Sequence, residues 1–146
     1  IKMTPKKVKI VEVGPRDGLQ NEKNYISTED KVSFIKDLSE TGLSAIEVTG
    51  FVRSNKIPQF ADSADVFNQV NSLNSKIDLV ALVPNLKGLE VAKSCGVESI
   101  AVFTATSEKF NQKNINNSID GSLEILKEVV GEAQKLGMKV RGYIST

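Results

Sequence analysis

The stretch VKIVEVGPRDGLQNE, residues 8–22, decides how this chain is organised. Its first half is rich in β-branched residues, which predicts a buried strand over residues 7–13. A glycine–proline pair and a second glycine four residues later then break the strand, which indicates a turn. Arg16 and Asp17 stand between these breaks, at the carboxyl end of the strand, where open α/β sheets and barrels place their chemistry.

The two residues in the turn suit two different chemical tasks. Arg16 is a permanent cation with a planar fork of donors, which matches a carboxylate or a developing oxyanion. Asp17 offers hard oxygen atoms, the ligands that Mg²⁺ and Mn²⁺ prefer. Residue types alone leave open an exposed turn in which both side chains are solvated.

The rest of the chain alternates between helical and extended patterns. Further strands are expected at residues 44–49, 77–83, 98–104 and 139–145. Helices are expected after the cap at Ser27 and over residues 62–73, 86–95 and 118–136, and a long polar loop that contains about one helical turn is expected at 107–117. Such alternation predicts right-handed βαβ units and a parallel sheet. The pattern leaves open a doubly wound sheet or the first five strands of a (β/α)8 barrel, which usually has about 250 residues.

Composition excludes several classes of protein. The 146 residues make about one domain, and the net charge of +1 gives no indication of a nucleic-acid partner. No apolar run approaches the length of a membrane span. Cys95 is the single cysteine, so no internal disulfide forms and a packing role is expected; the chain contains no histidine.

Strand periodicity predicts which side chains face the inside of a barrel. In the second strand Ile46 and Val48 share one face, and Glu47 and Thr49 share the other. The same reasoning turns Glu12 and Arg141 inward, which predicts a buried carboxylate–guanidinium network. A purely structural set of ion pairs fits the pattern as well as a catalytic one.

Other candidate residues follow the later strands. Asn85 is positioned to cap a helix, and Phe51 with Val52 can form an apolar wall for a methyl group. The loop containing Lys109, Lys113 and Asn114 can bind the phosphates or pantetheine arm of coenzyme A, or can simply be solvated. Tyr143 and Thr146 lie at the end of the fifth strand, where a substrate is expected.

The motif GPRDGLQNE at residues 14–22 resembles the first-strand motif of the 3-hydroxy-3-methylglutaryl-CoA lyases, within the metal-dependent TIM-barrel lyases and Claisen synthases. Residues 46–48, 84–88, 113–116 and 140–143 also match segments of this family. The resemblance implies a (β/α)8 barrel with about its first five strands in this chain. Residues 1–146 are then the N-terminal part of one catalytic domain, and we expect the remainder beyond residue 146.

The resemblance further implies cleavage of 3-hydroxy-3-methylglutaryl-CoA to acetyl-CoA and acetoacetate. Asp17 would bind Mg²⁺ or Mn²⁺, and Arg16 and Glu47 would be catalytic; the substrate-binding residues would be Gln20, Phe51, Asn85, Lys113, Asn114, Arg141, Tyr143 and Thr146. The family's His-x-His pair and catalytic cysteine are absent from this chain. Two alternatives remain: a Claisen-type synthase of the isopropylmalate or homocitrate class, and a catalytically inactive part-barrel.

The resemblance also sets expectations about partners and compartment. The partner is a CoA thioester substrate, with no nucleic acid and no membrane, and the complete protein forms a homodimer. The compartment is the bacterial cytoplasm or, in a eukaryote, the mitochondrial matrix.

Overall fold

The computed structural model describes residues 4–73 and 76–146, in which five strands form one parallel sheet in the order β1-β2-β3-β4-β5. The strands are β1 Val11–Glu12, β2 Ala45–Gly50, β3 Asp78–Leu82, β4 Ser99–Ala105 and β5 Lys139–Ser145. The helices are α1 Thr28–Ser39, α2 Ser63–Val70, α3 Leu86–Ser94, α4 Glu108–Ile115 and α5 Ile119–Lys135. The sheet curls into half of a (β/α)8 barrel. No helix in the two described ranges is long and apolar enough to cross a membrane.

Local sequence signals fix the ends of the helices. Ser27, Asn85, Ser107 and Ser118 each accept a hydrogen bond from the backbone N–H three residues later, which satisfies a free donor of the first turn. Three helix-to-strand turns pass through a glycine with positive φ, where other residues are strained: Gly42 (83°), Gly96 (77°) and Gly137 (73°). The caps predicted at Ser27 and Asn85 are thus confirmed.

Two apolar clusters lie on opposite faces of the sheet. The larger one packs the outward side chains of the strands, such as Ile46 and Ile100, against the helices. The smaller one lies inside the curl and contains Val80, Leu82 and Ala101, with Val52, Phe103 and Tyr143 against it. Polar groups that share the inner face with the smaller cluster therefore point into the barrel.

The first strand is much shorter than the predicted range 7–13. Only Val11 and Glu12 pair with β2, opposite Ala45 and Ile46. In a parallel ladder residues 8–10 would have to pair with residues 42–44, and those residues form the turn at Gly42. Val8 and Ile10 consequently stay exposed.

Two further differences concern α4 and Thr49. Residues 108–115 form a helix of two turns rather than a loop; the helix contains one buried residue, Asn111, so it shows no apolar stripe in the sequence. Thr49 does not share the inner face with Glu47, because the register shifts between these residues. Its hydroxyl instead lies 2.7 Å from that of Ser63 on α2. On the next helix, α5, Leu123 is exposed.

Candidate active site

The turn after β1 aims Arg16 across the barrel. The carbonyl oxygen of Val13 accepts hydrogen bonds from the backbone N–H groups of Arg16, Asp17 and Gly18, at 3.1, 2.7 and 3.4 Å. This tight wrapping around one carbonyl leaves Pro15 buried and Asp17 at the surface. The glycine–proline break predicted from sequence thus orients the two adjacent polar side chains differently.

Glu47 is the centre of the polar cluster inside the barrel. Its side chain is fully buried, and its two oxygens accept hydrogen bonds from Arg16 Nε and from the Tyr143 hydroxyl, each at 2.5 Å. Tyr143 lies on β5 and Glu47 on β2, so the contacts span the inner face of the curled sheet. A buried carboxylate is stable only with such partners, because an unpaired one costs several kcal/mol.

The Arg16 guanidinium donates hydrogen bonds to three side chains. Besides Nε, which binds Glu47, its Nη1 donates to Asp17 at 2.8 Å and to Gln20 at 3.5 Å, the second bond being at the limit of hydrogen-bond geometry. The Arg16 side chain is 12% exposed and that of Asp17 is 59% exposed. Within the described residues Nη2 makes no hydrogen bond, so donors remain for an oxygen atom of a ligand.

Tyr143 is held as a neutral hydrogen-bond donor. Burial, followed by the hydrogen bond to Glu47, raises the pKa of Tyr143 to about 12. The guanidinium carbons of Arg141 and Arg16 lie 4.8 and 6.0 Å from the centre of its ring. At neutral pH the phenol therefore keeps its proton and can only donate it to Glu47 as a hydrogen bond.

The structure contains a buried carboxylate–guanidinium contact, but the residues that form it differ from those predicted. Arg141 faces the inside of the curl, as predicted, and stacks on Tyr143. It is exposed and forms no ion pair with a carboxylate within the described residues, so the expectation that it belongs to a buried network is wrong. Glu12 is half-buried and accepts a hydrogen bond from the Gly14 N–H at 2.7 Å. Arg16, in the turn, provides the guanidinium that pairs with Glu47.

The remaining predicted site residues lie apart from this cluster. Phe51 packs in the outer core against Phe67, with ring centres 6.5 Å apart, whereas its neighbour Val52 faces the barrel interior. Of the two residues predicted to form an apolar wall, only Val52 faces the barrel interior, and the Phe51 ring does not contribute to it. Asn85 caps α3; Lys113 and Asn114 are exposed on α4, and Thr146 is exposed after β5.

Asp17 fits a metal ion as one oxygen ligand. One carboxylate oxygen binds Arg16, and the other has no hydrogen-bond partner within residues 4–73 and 76–146. The same residues contain no group of three histidine, cysteine, aspartate or glutamate side chains able to hold a metal ion. The other ligands of a cation bound at Asp17 would be water, amide or carbonyl oxygens, or groups from the remainder of the complete protein.

One polar group near the site escaped the sequence analysis. Gln59 and Lys31 are buried and join the segment after the Arg16 turn to the segment after β2. The pattern of residues 51–59 indicated only a loop. The contacts link residues about 30 positions apart, and local periodicity contains no signal for such pairs.

Comparison with known proteins identifies the family. The family model HMGL-like matches residues 7–145. The cytoplasmic 3-hydroxy-3-methylglutaryl-CoA lyase of Rattus norvegicus is 50% identical over 141 residues, which cover 97% of this chain and 41% of that protein. The chain thus spans less than half the length of this relative.

Solved structures give the same result. The HMG-CoA lyase of Bacillus subtilis superposes with a TM-score of 0.93 at 50% identity, covering 97% of this chain and 47% of that one. An HMG-CoA lyase from Acinetobacter baumannii, solved in complex with coenzyme A and 3-methylmalate, has a TM-score of 0.88 at 30% identity, with coverage of 97% and 47%. The turn sequence, the half-barrel and these matches together show that the chain belongs to the HMGL-like family.

Proposed function

We propose that the complete protein containing this chain is a lyase that cleaves 3-hydroxy-3-methylglutaryl-CoA to acetyl-CoA and acetoacetate. The observation that carries the proposal is the contact of Arg16 with Glu47 and Asp17, in a chain that is 50% identical to a relative of that name. Arg16 and Asp17 follow the carboxyl end of β1, the side of the sheet on which barrel enzymes hold their substrates. Residues 1–146 are then the N-terminal part of one catalytic domain.

The divalent cation of the reaction, Mg²⁺ or Mn²⁺, would be bound by the outward oxygen of Asp17 and by ligands from the rest of the protein. A bound divalent ion lowers the pKa of a substrate hydroxyl and orients it. The contribution of this chain is to hold the Asp17 carboxylate in place, because Arg16 Nη1 binds its other oxygen. Gln20 supports the same guanidinium group.

Arg16 would stabilise the enolate oxygen of the acetyl-CoA thioester that forms when the carbon–carbon bond breaks. The N–H donors of Nη2 would bind this oxygen, and a low-dielectric site would strengthen that hydrogen bond. Glu47 fixes the plane of the guanidinium through Nε, and Tyr143 fixes Glu47 in turn. Arg141, which stacks on Tyr143, and the interior residue Val52 would border the substrate here. Asn85 and Thr146, which lie apart from the cluster, would contact more distant parts of the substrate.

Helix α4 would hold the coenzyme A part of the substrate. Its exposed residues include Lys109, Lys113 and Asn114, which offer positive charge and amide donors to phosphate and pantetheine groups. The Acinetobacter baumannii relative, solved with coenzyme A, supports a ligand of this class. We further propose that the complete protein is a homodimer of the bacterial cytoplasm or the mitochondrial matrix.

The test is acetoacetate release from 3-hydroxy-3-methylglutaryl-CoA with Mg²⁺, measured for the complete reading frame and for the 146-residue chain. We expect release by the complete protein only, because a metal site needs more ligands than Asp17. Turnover of acetyl-CoA with a 2-oxo acid, without acetoacetate release, would overturn the lyase assignment in favour of a synthase. Activity of the 146-residue chain would contradict the proposed division of the metal site.

A further inference from the structure

A buried polar group, here called the Gln59 clasp, consists of Gln59, Lys31, Asp62 and Thr28. It lies outside the Arg16–Glu47–Tyr143 cluster. Gln59 and Lys31 are 4% and 6% exposed, and the Asp62 side chain is 9% exposed. Burying this many polar atoms requires that each finds a partner.

Gln59 binds the main chain of the segment that follows the Arg16 turn. Its Nε2 donates to the carbonyl oxygens of Glu22 and Asn24 at 3.1 and 2.7 Å, and its Oε1 accepts from the Ile26 N–H at 3.2 Å. Residues 22–26 belong to no helix or strand. The Gln59 side-chain amide therefore forms three hydrogen bonds with backbone groups of this segment, which has no hydrogen bonds of a helix or a strand.

Lys31, on α1, keeps Gln59 in position. Its ammonium group donates to the Gln59 carbonyl oxygen at 2.6 Å and to Asp62 Oδ1 at 2.8 Å, and it lies 4.4 Å from the centre of the Tyr25 ring. The second Asp62 oxygen accepts from the Thr28 hydroxyl at 2.7 Å. Both charges of the buried pair are thus fully partnered, which such pairs need.

The clasp is also attached to the strand that carries Glu47. Ser63, next to Asp62, has its hydroxyl 2.7 Å from that of Thr49 and 2.8 Å from the Gly50 carbonyl oxygen, at the end of β2. The contacts form a closed circuit. It runs from Glu47 to Arg16, along the chain to residues 22–26, through Gln59 to Ser63, and back to β2.

We propose that the Gln59 clasp is a positioning device for the active-site turn, which fixes Arg16, Asp17 and Gln20 relative to Glu47. The inference rests on the proposed function for its effect on catalysis. The clasp residues are positioning residues, since they act through the main chain of residues 22–26. Without the clasp, residues 22–26 lose the three hydrogen bonds from the Gln59 side chain. A resulting misplacement of about 1 Å at a reacting group can cost about 100-fold in rate.

The first variant is Gln59→Glu, made in the complete protein. It keeps the size and the acceptor for Ile26 but replaces the two donors with a carboxylate that repels two carbonyl oxygens. We expect faster hydrogen exchange in residues 18–26, a fall in kcat of about tenfold or more, and a higher Mg²⁺ concentration for half-maximal activity. KM for the thioester should stay constant, because α4 is a separate element.

Two controls and a second pair of variants separate positioning from stability and charge. Gln134→Glu makes the same chemical change on an exposed part of α5, and Val129→Ala removes packing from the outer core. Neither should change kcat or exchange in residues 18–26. Thr28→Val removes the hydroxyl that binds Asp62, and Thr28→Ser keeps it. Comparing these two variants tests the proposal even if Gln59→Glu does not fold.

Unchanged exchange in residues 18–26 in Gln59→Glu and Thr28→Val would overturn the proposal. So would a loss of kcat no larger than that of Val129→Ala at equal thermal stability. If the unaltered complete protein releases no acetoacetate, the proposed function fails, and the exchange measurement still decides whether the clasp holds the turn.

Discussion

At the scale of single residues, the planar fork of Arg16 is the feature that no other cation reproduces. Its Nε and Nη1 atoms serve Glu47 and Asp17 in different directions. In Arg16→Lys a single ammonium group has to choose between these partners. We expect kcat for acetoacetate release to fall by about 100- to 1,000-fold, the usual cost of losing one oxyanion donor. The thermal midpoint should fall as well, because the buried Glu47 carboxylate loses part of its pairing.

The matched control for this substitution is Arg53→Lys in the exposed loop after β2. It makes the same chemical change away from the cluster and should leave kcat unchanged. Wild-type kcat in Arg16→Lys would show that a point charge is sufficient at this position. The proposed enolate contact would then need another donor.

The raised pKa of Tyr143 makes a specific prediction about alkaline stability. Burial and the hydrogen bond to Glu47 raise the pKa of Tyr143 to about 12 in the folded state, whereas an unfolded tyrosine ionises near its ordinary pKa of 10.0. The stabilising contribution is therefore complete below pH 10 and is lost as the pH rises from 10 to about 12. Urea unfolding across this range should show a steeper loss for the wild type than for Tyr143→Phe.

A tyrosinate absorbance titration gives the second readout for Tyr143. The chain has two tyrosines, and Tyr143→Phe leaves only Tyr25, so the difference between the two titrations isolates Tyr143. A difference curve centred near pH 10 would contradict the buried hydrogen bond to Glu47.

At the scale of elements, two glycines in helices should respond in opposite ways to the same substitution. A Cβ at Gly88 in α3 would lie 2.6 Å from the Phe51 carbonyl oxygen, whereas one at Gly131 in α5 meets nothing within 4 Å. Gly131→Ala should raise the free energy of unfolding by about 0.5–1 kcal/mol. Gly88→Ala should lower it by about 1–3 kcal/mol because the overpacking outweighs the gain in helix propensity.

Denaturant unfolding of the two alanine variants checks this contrast. Equal stabilisation in both would mean that the α3–β2 contact relaxes without cost. The comparison is informative because both positions are helical and differ mainly in what surrounds the missing Cβ.

The elements themselves were largely predictable, because their signals are local. Caps and helix-ending glycines depend on residues within one turn, so β5 was predicted at its observed bounds, residues 139–145. Helix α4 was missed because its polar sequence lacks the apolar spacing of a packed helix. The orientation of Thr49 was wrong because a shift in register depends on pairing with β3, about 30 residues away.

The residues of the site could largely be predicted from the sequence, whereas the hydrogen bonds between them could not. The sequence motif indicated Arg16, Asp17 and Glu47, and the end of β5 indicated Tyr143. Their pairing spans 31 and 96 residues along the chain, and only the curled sheet decides that Arg16, rather than Arg141, reaches Glu47. Such choices depend on three-dimensional distance, which residue periodicity does not contain.

At the scale of the whole molecule, the half-barrel leaves β5 at the edge of the sheet with Ile144 69% exposed. Exposed strand edges and apolar side chains promote association. We expect the mass of the isolated 146-residue chain, measured by sedimentation equilibrium, to rise with concentration. Ile144→Lys should shift this rise to higher concentration, and Leu123→Lys, on the exposed face of α5, should not.

A mass independent of concentration over the accessible range would contradict this prediction. Equal effects of the two lysine substitutions would assign the association to general surface charge rather than to the edge at β5.

The separation of α4 from the buried cluster has a consequence for how such proteins diverge. The Arg16–Glu47–Tyr143 contacts are locked inside the sheet, whereas seven of the eight residues of α4 are not buried. Mutations on α4 can therefore accumulate without disturbing the groups proposed to break the carbon–carbon bond. A lineage can therefore change its specificity for the acyl carrier by substitutions on one surface helix, while the residues that break the carbon–carbon bond stay the same.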